Sequence, residues 1–496
     1  MRTYANLIGG SFVAPLNDRY FDAIDPYVNK SFARVPESGE EDAEVAITAA
    51  AAAFDSWRRV PGVERARMLR RLAELLNANA VSIGRVESRD NGKLVSETVG
   101  QARFAARAYE FFAGSADRLT GRTIPLDDPN LFDFTRREPA GVAVLITAWN
   151  SPMQLLSNKL APALAAGCTV VVKPSEQASC STLEFAELIS EAGFPPGVVN
   201  VVTGGADVGR ALVADARVGR ISFTGSVGAG RAIARSASRN LTPCTLELGG
   251  KSPNIVFADA DLDRALRGAM SGIFGAGGQT CVAGSRLLVQ DSVYDGVVEA
   301  LARSADKIVL GDPAAEATQM GPMANESQRD RVVRMIREAK DQGAVEATGS
   351  ARDLTSLDPA FFVQPTIFRN VSNDMTIARE EVFGPVLSVI PFKTEQDAIE
   401  IANDTDFGLA AGLWTTDLAR AHRVARDISA GTVWINTYRT AAIQAPFGGL
   451  RRSGYGRERG EIAIEEYLTT KNVMVDLGDV TRDHFDMADY SPTVVS

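Results

Sequence analysis

From Gly141 onward the sequence repeats one arrangement: a short run of β-branched and apolar residues, a turn, then a stretch with helical spacing. "VAVLI" leads into a helix expected over 153–166, "TVVVKPSE" into one over 182–192, and "GVVNVVTG" into a short helix near Val208. "RISFTGS" then precedes a helix over 228–238. Strand–helix–strand order of this kind closes as parallel strands joined by right-handed crossovers. The alternation predicts an α/β fold with a doubly wound sheet, whose ligands bind beyond the carboxyl ends of the strands. A second series follows "LGGKSPNIVF", with a helix over 262–270, "SRLLVQ", "PVLSVIPF", a helix over 395–403, "LAAGLWT" and "GTVWIN". Ahead of both, Leu69, Leu72, Leu76 and Ile83 recur at helical spacing. They predict one amphipathic helix over 64–87, with a second over 95–116.

At 496 residues the chain is too long for one ordinary core. Two consecutive doubly wound domains are expected: a cofactor domain from 1–117 and 140–249, and a catalytic domain over 250–452. The extended segment "TGRTIPLDDPNLFDFTRREPAG" and the run "LTTKNVMVDL" interrupt and close this plan. Segments 118–139 and 468–480 are expected to protrude as a small β element exchanged between subunits, giving a homodimer or homotetramer. Residues 481–496 show no periodicity and read as a tail.

A net charge of −10 argues against nucleic acid and anionic membrane as partners. No apolar run approaches the roughly 20 residues that span a bilayer. The start lacks the pattern of a signal peptide. The four cysteines show no CxxC spacing, so no metal site and no disulfide framework is signalled, and a reducing cytoplasm is the expected location. Only two histidines are present, His422 in an amphipathic helix and His484 near the C-terminus. A Cys–His hydrolase is disfavoured, and a general base is expected to be a carboxylate.

Cys281 stands in "GGQTCVAGSR", after Gly275, Gly277 and Gly278. Taken alone, it is either a nucleophile at a place where backbone can approach another molecule, or a small residue in a tight loop. Asn150 in "AWNSP" is either an amide aimed at a reacting oxygen or a turn residue before Pro152. Glu247, between Leu246 and Leu248, is either a base with a raised pKa or a buried partner of a lysine. Lys173 and Glu176 in "KPSE", taken alone, read as a surface ion pair.

Read in order, "AWNSP", "KPSE", "FTGS", "LELGGKSP", "GQTC", "EEVFGP", "INTY" and "PFGGLRRSGYGRERG" make the chain similar to the aldehyde dehydrogenase superfamily along nearly its whole length. The resemblance implies NAD-dependent oxidation of a small-molecule aldehyde to a carboxylic acid. It makes Cys281 the nucleophile, through a thiohemiacetal and a thioester, Glu247 the base that activates the hydrolytic water, and Asn150 an oxyanion donor. It assigns Gly225 and Ser226 to the pyrophosphate, Lys173 and Glu176 to the adenosine ribose, and Glu381, Phe383 and the Trp149 carbonyl to the nicotinamide end. Glu176 favours NAD; NADP is the alternative, as in a semialdehyde dehydrogenase. A non-catalytic scaffold retaining the fold is a rival, against which stands the presence of all three catalytic residues.

The tunnel to the cysteine departs from that of simple aliphatic or aromatic aldehyde enzymes. Ser151, Gln154, Asn158 and Gly275 stand where bulky aromatics often occur, with Thr280 and Val282 flanking the nucleophile. A wider, more polar tunnel is expected. Arg439 either faces solvent or meets a carboxylate or other polar end of the substrate.

Overall fold

The computed structural model describes residues 1–348 and 354–478. The chain builds two large sheets and two small ones. The first large sheet runs in the order Gly454–Tyr455, Cys244–Glu247, Val218–Thr224, Val142–Ile146, Thr169–Lys173, Val199–Val201, Asn6–Ile8, Ser11–Val13. Its five middle strands are parallel, and its outer strands add antiparallel. Strand order reverses on either side of Val142–Ile146, so the carboxyl ends of this strand and of Val218–Thr224 bound an open crevice. The continuous apolar runs follow from burial on both faces: every residue of Val142–Ile146 and of Thr169–Lys173 is buried.

The second large sheet has the order Val345–Glu346, Thr366–Arg369, Val386–Phe392, Arg286–Gln290, Pro253–Val256, Ala410–Trp414, Thr432–Ile435. All neighbours are parallel except the first pair. The two segments expected to protrude meet in a third sheet, where Leu468–Asp476 pairs antiparallel with Leu131–Pro139, and Thr123–Ile124 adds beyond it. Phe132, Met474 and Val475 lie exposed on it.

Some elements differ from the sequence reading. The helix expected over 64–87 is two helices, Gly62–Ala78 and Ala80–Asn91. Asn79 leaves helical geometry (φ −99°, ψ 10°), and its side-chain amide joins its own N–H in donating to the Leu75 carbonyl. The following helix stops at Ala113. Helix Glu40–Trp57 and the small sheet of Arg2–Thr3, Lys30–Pro36 and Tyr20–Asp25 were not signalled. The helix packs through Ala43, Ala46 and Ala50, whose small side chains weaken the hydrophobic pattern. The tail reading for 481–496 lies outside the described residues.

One late connection matters most for the site. After the second sheet the chain returns to the first, where Gly454–Tyr455 pairs with Leu246 and Glu247. This return sets residues 456–459 beside the end of the strand that carries Glu247.

Candidate active site

Cys281 follows a tight turn, Gly275–Gly278, in which Ala276 and Gly277 both take left-handed backbone. Gln279 braces this turn: its side-chain amide donates to the Ala276 carbonyl, and its Oε1 accepts from the Ala324 N–H. The Asn150 side-chain amide donates to the Gln279 carbonyl at 2.9 Å, which ties the end of one sheet's first crossover to the cysteine loop. One Asn150 N–H therefore holds the loop, and the other is free to meet a reacting oxygen.

A cavity of about 390 Å³ opens at this junction, lined among others by Trp149, Asn150, Gly225, Ser226, Glu247, Cys281, Glu381 and Phe383. The expected nucleophile, base and oxyanion donor and five of the expected cofactor residues thus share one space. Lys173 and Glu176 lie elsewhere, at the next strand end. Buried Lys173 donates to the Pro174 carbonyl, with Glu176 3.7 Å from its ammonium, so both expected forms of the pair, ion pair and ribose site, remain compatible.

The electrostatics are those of a dry site. Burial pushes the Cys281 thiol up to about 12, helped by the carboxyls of Glu381 and Glu247 and opposed by Arg459. Burial, then repulsion from Glu458, raises Glu247 well above the carboxylate range, and both of its carboxyl oxygens lack a hydrogen-bond partner. The possibility of a direct lysine partner for Glu247 is thereby removed. The lysine, Lys159, instead pairs with Glu458, and both are buried. Glu381 is raised to about 7 by burial, although its Oε1 accepts from the Gly250 N–H at 3.0 Å.

Two glycines make room for these carboxyls. A Cβ on Gly249 would lie 2.2 Å from Glu381 Oε2, and one on Gly448 would lie 2.8 Å from Glu247 Oε1. At the crevice, Gly225 N–H donates to the Glu247 carbonyl, and Ser226 caps helix Val227–Ala237 by accepting from Ala229 N–H. That leaves the Ser226 hydroxyl proton and the helix N-terminus directed at an anion. Phe383 takes left-handed backbone (φ 56°) and packs edge-on against Trp149, with ring centres 5.3 Å apart.

Several contributors were missed. Asn91 donates to the Trp149 carbonyl, while Lys93 donates to the Asn150 carbonyl and to the Ser151 hydroxyl. Gln328 holds the Val382 and Phe383 carbonyls, and Arg331 holds that of Glu381. A lysine in the otherwise turn-like "DNGKL", just after a helix, was the available signal for the first pair. No local pattern marked Gln328 or Arg331.

The expected tunnel residues divide. Ser151, Gln154, Thr280 and Val282 are half-buried around the cysteine and its neighbouring helix. Asn158 is buried and bonded to Glu458 and Arg459. Arg439 donates from Nη1 to the carbonyls of Ser271 and Gly275, bracing the loop ahead of the nucleophile.

Residues 12–473 match the model of the aldehyde dehydrogenase family. The chain belongs to the aldehyde dehydrogenase family. It is 44% identical over 478 residues to a betaine aldehyde dehydrogenase of Brucella anthropi, covering 96% of this chain and 98% of that one. It is also 44% identical over 475 residues to an aldehyde dehydrogenase of Davidiella tassiana, covering 95% of each chain. The crystal structure of a Staphylococcus aureus betaine aldehyde dehydrogenase in complex with NAD+ superposes with a TM-score of 0.95 at 38% identity, covering 97% of this chain and 96% of that one. Among the described residues there is no cluster able to hold a metal ion and no helix long and apolar enough to cross a membrane.

Proposed function

We propose that the protein is an NAD-dependent aldehyde dehydrogenase that releases a carboxylic acid. The observation that carries this reading is the meeting of Cys281, Glu247 and Asn150 with the crevice residues in one cavity. The residues there fit a dinucleotide: a capped helix N-terminus for pyrophosphate, and an aromatic wall with a carboxyl for the nicotinamide end. NAD, when bound, supplies the acceptor for the aldehyde hydrogen as hydride. The NAD+ complexes of structural relatives support that choice over NADP. Glu176 lies where a ribose 2′-hydroxyl would be bonded and a 2′-phosphate repelled.

The Cys281 sulfur, once deprotonated, bonds to the carbonyl carbon, and the carbonyl oxygen gains the charge. Asn150 Nδ2–H and the Cys281 backbone N–H meet that oxygen. Loss of hydride converts the adduct into a thioester on Cys281. Glu247 then takes a proton from water as its oxygen attacks, and the carbon–sulfur bond breaks to release acid and thiolate. A carboxyl starved of hydrogen bonds is basic enough for that step. Lys159 and Glu458, beside Glu247, offer its proton a polar exit.

The third sheet, with exposed Phe132, Met474 and Val475 and a free edge, supports assembly as a homodimer or homotetramer. Four free cysteines suit a reducing, cytoplasmic setting. Glu247→Gln tests the mechanism: a single burst of NADH with collapsed turnover is expected, and steady-state rates near wild type would remove Glu247 as the base.

A further inference from the structure

Arg459 is a buried cation whose charge acts on Cys281 and which forms no salt bridge among the described residues. Its backbone is left-handed (φ 58°), a conformation a non-glycine residue keeps only when its surroundings impose it. The clamp is visible: Phe447 and Glu458 exchange both backbone hydrogen bonds at 2.7 Å, and Gly460 N–H donates to the Ile443 carbonyl. The clamp turns the Arg459 side chain inward, between the rings of Phe104 (5.2 Å) and Phe447 (4.8 Å).

There the guanidinium Nε donates to Asn158 Oδ1 at 3.3 Å, and its other N–H groups meet no acceptor among the described residues. Glu458 is the neighbouring charge that acts most on it, without pairing with it. Glu458 is committed to Lys159 and to the Asn158 amide. Burial raises Glu247 well above the carboxylate range, and neither of its carboxyl oxygens has a hydrogen-bond partner among the described residues. The Arg459 charge is felt at the reacting centre, where it opposes the rise of the Cys281 thiol, and Leu155, one turn before Asn158 on helix Pro152–Ala166, lines the cavity with Cys281. Phe104 and Phe447 are themselves only half-buried.

We propose that Arg459 recognises the substrate, and that the aldehyde oxidised here carries a carboxylate that binds its free N–H groups. The inference rests on the aldehyde dehydrogenase reading and names the substrate class for it. A planar guanidinium fixed by two aromatic faces presents a fork that matches a carboxylate. The relatives named for betaine aldehyde act on a fixed quaternary ammonium, a charge that Arg459 repels. Arg439, whose Nη1 serves carbonyls, yields this role to Arg459.

The test compares 4-oxobutanoate and 5-oxopentanoate with butanal, pentanal and betaine aldehyde, using NAD with wild type, Arg459→Gln and Arg459→Lys. Wild type is expected to favour a carboxylate aldehyde over its neutral counterpart by about 10²-fold in kcat/KM, with betaine aldehyde poorest. Arg459→Gln should lose ~30-fold or more on the carboxylate aldehydes, chiefly through KM, and under ~3-fold on pentanal, while Arg459→Lys keeps part of the preference. Succinate should compete with pentanal on wild type where butyrate does not, a reading that needs no variant. Equal loss on every substrate, or a wild-type preference for neutral or cationic aldehydes, overturns the inference and leaves the activity standing. Absence of NADH from every aldehyde overturns the activity, and this inference with it.

Discussion

The two sides of Cys281 are built differently. On the crevice side, backbone and small residues do most of the work: Gly225, Gly249, a helix N-terminus, and carbonyls held by Gln328 and Arg331. On the tunnel side the surfaces are side chains, among them Asn158, Arg459, Phe104 and Phe447. A backbone surface tolerates few changes, because any added carbon collides. A side-chain surface can be rewritten one residue at a time. The contrast separates two tasks: backbone and glycines shape the crevice, and side chains form the proposed approach for the aldehyde.

The largest expected effect is at the sulfur itself. Cys281→Ala should lower kcat by about 10⁴-fold or more, with NAD binding retained in a fluorescence titration. Loss of NAD binding as well would blur the division between the two sides. Glu247→Gln should reduce turnover by about 10²–10⁴-fold and leave a stoichiometric NADH burst, measured by stopped flow.

Gly249→Ala tests the crevice side alone. Its methyl would enter the space of the Glu381 carboxyl. A rise of about tenfold in the KM for NAD, with unchanged ranking among aldehydes, is the expected outcome, since a displaced contact of this kind costs roughly one to two kcal/mol. A changed aldehyde ranking would mean that the sides are coupled.

The smallest effect is a shift of a profile. Glu247 acts when deprotonated, so kcat should rise with pH through its raised pKa. Glu458 raises that pKa by repulsion, and Lys159 lowers it. Glu458→Gln removes the repulsion, and the rise in kcat should move to lower pH by about one unit, given ordinary neighbouring-charge effects. A shift to higher pH would contradict the ordering of these charges.

Legibility in the sequence followed the same division. The parallel strands were readable because full burial makes unbroken apolar runs, whereas Cys281, Glu247 and Asn150 each left a structural alternative open and were drawn together only by the ordered motifs around them. The break at Asn79 was not, because apolar spacing on both sides of it stays in phase. Arg459 was hidden for a stronger reason. In "RRSGYGRERG" it is one arginine among several, and nothing local separates a guanidinium turned inward by backbone pairing from one in water. Arg439 drew attention through its neighbouring motif, yet its observed bonds to Ser271 and Gly275 are tertiary.

The brief return of the chain to its first sheet at Gly454–Tyr455 places Glu458, which raises the pKa of Glu247, and Arg459, the proposed substrate contact, on successive residues. Exchanging a handful of codons there would reset proton traffic and diet in a single event. Lineages of this enzyme should therefore acquire new foodstuffs and new pH habits together rather than one after the other.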